Sequence, residues 1–217
     1  MTEITIIPLK RNHCDNAARL LADAFLEDPE VAAIVGGNLQ KRRQILKAHY
    51  HNLVSLFLPY RRSQCAVSNG ELVGVMLFFA PGEEPSNFIV FLKLSLKMLF
   101  RISIGGLRRG YKSANNDETH RPREPHYYLS TLGVAPSHQG RGVGKRMLSY
   151  ITDIADENGS PIYLSSTNPK AIPLYQKFGF ETTLVTSPLG VPNHHMERKP
   201  RKVKEASRNS VRFTRKE

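Results

Sequence analysis

The run Gln139-Gly-Arg-Gly-Val-Gly-Lys145 sits between an apolar stretch, Tyr127–Val134, and a stretch in which Met147, Leu148, Ile151, Ile154 and Ala155 recur at helical spacing. Closely spaced glycines let the backbone turn tightly and present successive N–H groups outward, and a helix N-terminus adds partial positive charge. Arg141 and Lys145 contribute full charges, so this strand-to-helix junction suits an anion of pyrophosphate size. Spacing excludes two common nucleotide-binding patterns. Too few residues separate Gly140 from Lys145 for G-x-x-x-x-G-K-[ST], and Arg146 stands where a hydroxyl is required. The order G-x-G-x-G, late in the chain and after a hairpin, is not the G-x-G-x-x-G of a first βαβ unit.

The rest of the chain supplies elements on both sides of this junction. Thr5–Leu9 reads as a short first strand. Asp15 opens a helix with Ala18, Leu21, Ala22, Phe25 and Leu26 on one face, ending before Pro29. Leu39–Leu58 is a second amphipathic helix. Cys65-Ala-Val, then Asn69-Gly70, then Leu72–Phe79 predicts a hairpin with a tight turn. Arg108–Pro125 is polar and predicts a surface loop beside a site. After the glycine run come a helix to about Asn158, a strand (Ile162–Ser165), a helix (Lys170–Phe178) and a last strand (Glu181–Thr186). The alternation indicates an α/β fold.

Composition limits the remaining choices. The 217 residues, 40% hydrophobic with ten Phe and eight Tyr, can build one core. Two cysteines, Cys14 and Cys65, supply neither a disulfide framework nor a zinc site, so no metal is expected. The opening segment lacks an apolar secretory core, and a cytoplasmic location is expected. Of the net charge of +12, half lies in Glu197–Glu217, where nine Lys/Arg face three Glu. This divides the chain into a domain over 1–196 and a basic, disordered tail over 197–217. Nuclear import or nucleic-acid contact through that tail is the alternative to a solvated one. Phe88–Ile104 is nearly all apolar but carries Lys93, Lys97 and Arg101 on one stripe. It is read as a protein-packed helix rather than a membrane span, with an oligomer-facing helix, as in a homodimer, as the alternative.

Two blocks, His126-Tyr-Tyr-Leu-Ser-Thr-Leu-Gly-Val-Ala-Pro-Ser-His-Gln-Gly-Arg-Gly-Val-Gly144 and Tyr163-Leu-Ser-Ser-Thr-Asn-Pro-Lys-Ala-Ile-Pro-Leu-Tyr-Gln-Lys-Phe-Gly-Phe180, resemble the GNAT superfamily of acyl-CoA N-acyltransferases. The first is similar to its pyrophosphate motif, Q/R-x-x-G-x-G/A, through Gln139, Gly142 and Gly144. The resemblance implies a mixed central sheet splayed between the strand before and the strand after the pyrophosphate-loop helix. It implies acetyl-CoA as co-substrate and direct transfer of an acetyl group to a primary amine. Leu132 and Val134, with Gly133 between them, would pair with the pantetheine arm. The N–H groups of Gly140, Arg141, Gly142, Val143, Gly144 and Lys145 would hold the pyrophosphate, and Asn168 would bond a pantetheine amide. Tyr175 would protonate the departing thiolate.

Each assignment has a plainer counterpart. Leu132 and Val134 are also ordinary strand residues, Asn168 before Pro169 is also a natural turn or cap, and Tyr175 also fits a packed helix. His13, His49, His51 and His120 are read as surface residues. Where some members carry a carboxylate base this chain has Tyr128, and where related sequences are often acidic it has Ser165. Glu124, His126, Glu27 and Asp28 are the candidates left to take the amine's proton. A small-molecule amine is favoured over a protein amine, and a non-catalytic acyl-CoA binder is the remaining alternative.

Overall fold

The computed structural model describes residues 3–83, 96 and 101–201. Among them, seven strands form one open sheet: β1 (Thr5–Pro8), β2 (Gln64–Ser68), β3 (Glu71–Phe79), β4 (Tyr127–Val134), β5 (Ile162–Ser166), β6 (Glu181–Thr186) and β7 (Asn193–Arg198). Their order is β1-β2-β3-β4-β5-β7-β6. Every neighbouring pair is antiparallel except β4 with β5. Among the described residues, the helices with both ends in view are α1 (Cys14–Ala24), α2 (Pro29–Val35), α3 (Leu39–Phe57), α4 (Ile104–His120), α5 (Val143–Glu157) and α6 (Ile172–Lys177).

β3 is apolar without a break because both of its faces are covered. Val75, Leu77 and Phe79 join one core with Leu21, Leu46 and Phe57 of α1 and α3. Val73, Met76 and Phe78 join a second core with Met147, Leu148 and Ile151 of α5. Where α1 crosses β4 the contact needs a glycine. A Cβ on Gly133 would lie 2.5 Å from Leu21 and 3.3 Å from Phe25. Gly133→Val is therefore expected to destabilise the fold by about 1–3 kcal/mol, measured by denaturant unfolding.

The sheet opens where β4 meets β5. Only Tyr127 with Ile162 and Tyr128 with Tyr163 pair, although β4 continues to Val134 and β5 to Ser166. Beyond Tyr128 the two strands leave a gap. On the other edge Ala135 N–H bonds Val73 O at 2.9 Å. In this antiparallel register Gly133, opposite Val75, likewise turns its backbone groups to β3. Leu132 and Val134 turn theirs to the gap.

The first helix ends before Pro29, at Ala24, and Pro29 starts α2, which was not expected: the Asp28 carboxylate accepts the N–H groups of Glu30 (3.0 Å) and Val31 (3.2 Å) and a proline fits the first helical position. Arg108–Pro125 is not a loop, since α4 runs to His120 behind a cap in which Ser103 Oγ accepts Gly106 N–H at 3.1 Å. An unanticipated strand, β7, follows β6. It carries the chain through the expected domain boundary at Met196 to Arg198, which is 2% exposed. The expected Phe88–Ile104 helix lies largely outside the described residues, as does the tail from residue 202. Among the described residues, no helix is long and apolar enough to cross a membrane.

Candidate active site

The gap between β4 and β5 is the centre of a cleft of about 200 Å³. Leu132, Asn168 and Tyr175 all line it. Beyond the end of β4 the glycine run turns into α5. Gly140 and Gly142 hold φ of 74° and 87°, a left-handed conformation that favours glycine. A Cβ on either would meet nothing within 4 Å, so the outer face of this turn is open. The first helical bond of α5 is Arg146 N–H to Gly142 O at 3.0 Å. The N–H groups of Val143, Gly144 and Lys145 precede it and have no carbonyl to bond within the helix.

Not every residue of the run faces outward. The Val143 side chain is buried in the core. A Cβ on Gly144 would lie 3.4 Å from Leu174 and 3.8 Å from Val134, so the start of α5 is wedged between α6 and the end of β4. Gln139 Nε2 donates to Val134 O at 3.3 Å and ties the turn to the strand. Arg141 and Lys145 are exposed. Gly133 lies on the strand but spends its backbone on β3, so of the three strand residues only Leu132 and Val134 face the gap.

Asn168 has the plainer role at one end of its side chain. Its Oδ1 accepts Lys170 N–H at 3.0 Å and shapes the turn before α6. Its Nδ2 is the group that remains to reach a ligand. Tyr175 is 8% exposed and packs edge-on to Phe180 at 5.8 Å. Burial pushes its phenol up to about 12, so the proton stays on at any physiological pH.

The cleft also holds carboxylates that the sequence reading largely missed. Of Glu27, Asp28, Glu124 and His126, only Asp28 lines it. His126 is buried instead with its Nδ1–H donating to Glu124 O at 2.7 Å. Glu30 and Asp117 join Asp28 there. Glu30 accepts the hydroxyl of Ser113, and burial, reinforced by the charges of Asp117 and Asp28, raises it to about 7. Asp117 accepts Ser165 Oγ at 2.9 Å and Asn193 Nδ2 at 2.8 Å. Burial still raises it, although those bonds and Arg121 pull it down. Burial likewise raises Asp28, against its two backbone bonds and the Thr167 hydroxyl.

The signal for Glu30 was present in Asp28-Pro-Glu, an N-cap followed by a helix start. Asp117 gave none, because its neighbours Asn115 and Asn116 read as a turn. Asn116 instead donates to His195 Nε2 at 3.3 Å and Thr186 Oγ1 at 2.9 Å. His195, which also bonds Tyr163 at 2.7 Å, is lowered to about 4 by burial and by His120. This neutral network pins α4 to β5, β6 and β7 and so places Asp117. His49 is also not a surface residue: it lines an apolar cavity beside the cleft, and burial lowers it to about 4.

Comparison with known proteins agrees with this geometry. A family model described as the acetyltransferase (GNAT) family matches residues 39–180, more than half of the chain. An uncharacterized N-acetyltransferase of Schizosaccharomyces pombe is 26% identical over 173 residues, covering 76% of this chain and 69% of the relative. The histone acetyltransferase HPA2 and related acetyltransferase structure from Corynebacterium glutamicum superposes with a TM-score of 0.64 at 22% identity, over 94% of this chain and 99% of that one. The PaiA N-acetyltransferase from Thermoplasma acidophilum, solved in complex with coenzyme A, gives 0.57 at 14% identity, over 91% and 99%.

Proposed function

The chain belongs to the acetyltransferase (GNAT) family, and from that premise we propose that it transfers an acetyl group from acetyl-CoA directly to a primary amine of a small molecule, with Tyr175 as general acid. The observation that carries this reading is the gap itself. It leaves a strand edge unpaired beside a buried, protonated phenol on one cleft, and the open glycine turn follows just past the end of that strand.

Acetyl-CoA supplies a thioester and a pyrophosphate. The gap-facing backbone of Leu132 and Val134 can pair with an extended arm as an added strand would. The N–H groups from Gly140 to Lys145, with the cations of Arg141 and Lys145, fit the pyrophosphate, and Asn168 Nδ2 fits an arm carbonyl. The amine nitrogen attacks the thioester carbonyl carbon while Leu132 N–H receives charge on the oxygen. The carbon–sulfur bond breaks, Tyr175 gives its proton to the departing thiolate, and the proton that nitrogen loses as the amide forms restores the phenol. Enclosure favours a small acceptor, because the carboxylates lie inside the cleft rather than on a surface that a folded protein could reach. The histone acetyltransferase name of the Corynebacterium neighbour keeps a protein amine as the second reading.

The test is CoA release and acetyl-CoA affinity in the purified full chain. Arg141→Ala is expected to weaken acetyl-CoA by about 1–2 kcal/mol, the scale of one charge-assisted hydrogen bond. Gly142→Val is expected to weaken it further, because a β-branched residue resists a φ of 87° and its side chain would fill the open face. An unchanged KM for acetyl-CoA in Gly142→Val would overturn the assigned pyrophosphate site.

A further inference from the structure

An apolar cavity of about 330 Å³ opens between α2, α3, α4 and the ends of β3 and β4. It meets the cleft at a shared wall of Val31, Tyr50, Asp117, Tyr128, Ser130 and Thr131. Resting on the acetyltransferase reading above, we propose that this cavity holds the body of the acceptor: an amine carried on an apolar group the size of one aromatic ring and a short chain, its ammonium received by Glu30 and Asp117 at the mouth.

The walls set the body. Ile34, Val35, Ile45, Leu46, Leu53 and Phe57 line the inner part. An apolar cavity of about 150 Å³ admits benzene, and this one is about twice as large. A peptide entering it would leave backbone amides without partners, and a polyamine would bury a second charge there; both are costly. His49, which also lines the cavity, is held neutral by burial and adds no charge.

The mouth sets the head group. Asp117 lines both spaces, and Ser113, a cavity residue, holds Glu30, a cleft residue. Asp28, Glu30 and Asp117 share the cleft wall, and burial disfavours the charge on each. An ammonium group seated beside them favours their charged forms by direct attraction. With Glu30 raised to about 7, its carboxylate can take the ammonium proton near neutral pH. The freed lone pair forms the C–N bond, the C–S bond breaks and the thiolate takes the proton of Tyr175; the second proton, lost from nitrogen as the amide forms, restores the Tyr175 phenol, and Glu30 releases the first to solvent.

The experiment measures CoA release by the full chain with propylamine, butylamine, hexylamine, 4-phenylbutylamine, spermidine and a peptide with a free N-terminus and one lysine. KM is expected to fall about three- to fourfold per added methylene from propylamine to hexylamine. For 4-phenylbutylamine, kcat/KM should exceed that of spermidine and of the peptide by about 100-fold or more. Val35→Trp, which narrows the cavity, should raise KM for 4-phenylbutylamine by about tenfold and leave KM for acetyl-CoA unchanged. If that variant does not fold, the methylene series on the native chain decides.

A flat series, or a preference for spermidine or the peptide, would overturn the proposal while leaving acetyl transfer standing. If no amine releases CoA, the acetyl-transfer reading fails instead, and direct titration decides the cavity. Binding of 4-phenylbutylamine about tenfold or more tighter than uncharged 4-phenylbutanol would sustain it. Equal binding, or none, would overturn it.

Discussion

Tyr175→Phe is expected to lower turnover by about 100-fold or more while acetyl-CoA affinity stays nearly unchanged, the pattern of a group used in the transition state. The substitution removes one hydroxyl and keeps the ring that packs on Phe180 and the α5 core. A packing role therefore predicts the opposite result, with turnover nearly intact. The pH profile adds a second readout. A phenol at its ordinary value near 10 would shut off donation just above that pH. With burial pushing Tyr175 to about 12, the basic limb of the native enzyme should stay flat through pH 10. Glu30, raised to about 7, is expected to shape the acidic limb, because a protonated carboxyl cannot accept the amine's proton. Turnover of Tyr175→Phe within about threefold of native across this range would show that Tyr175 only packs.

The parts of the fold legible in the sequence are those in which local signals and tertiary needs agree. The hairpin at Asn69-Gly70, the apolar run of β3 and the glycine turn into α5 each satisfy one requirement and leave no competing one. The missed elements are those in which packing overrides composition. Asn115-Asn116-Asp117 is turn chemistry by propensity, yet α4 carries it because Asn116 and Asp117 find partners on β5, β6 and β7. The burial of β7 was hidden in polar residues: Asn193 and His195 on one face and Arg198, with Met196, on the other are all buried, and each polar one has a partner. A buried polar side chain that is hydrogen-bonded reads in sequence as a surface one. This is also why the cofactor half of the site was readable and the acceptor half was not. Glycines and backbone edges announce themselves by spacing, whereas Glu30, His49 and Asp117 become a site only when α2, α3 and α4 meet.

Arg198 gives the clearest energetic consequence of that rule. The sequence assigns it to a basic tail, as one of nine like charges between Glu197 and Glu217. In the fold its guanidinium donates to both Asp156 oxygens, at 2.8 and 2.7 Å, and to Phe178 O at 2.8 Å. It thereby joins β7, the end of α5 and the turn after α6. Arg198→Ala takes the guanidinium donor from the Phe178 carbonyl and leaves Asp156 with the Arg201 N–H alone, a loss of about 3 kcal/mol. For a domain of this length that is a fall in Tm of about 6–12 °C. The hydrogen bonds from Arg198 hold Asp156 below the ordinary carboxylate value. A depressed folded value means that the stabilisation is complete above the unfolded carboxylate value, near 4, and is lost as pH falls through the folded one. The Tm gap between native and Arg198→Ala should therefore be full at pH 7 and close in acid below about pH 4. Truncation separates the tail from the anchor. A chain ending at Met196 should lose as much as the point variant or more, while one ending at Arg201 keeps the ion pair and should melt with the native protein. If the chain ending at Met196 melted like the native one, Arg198 would belong to the tail after all.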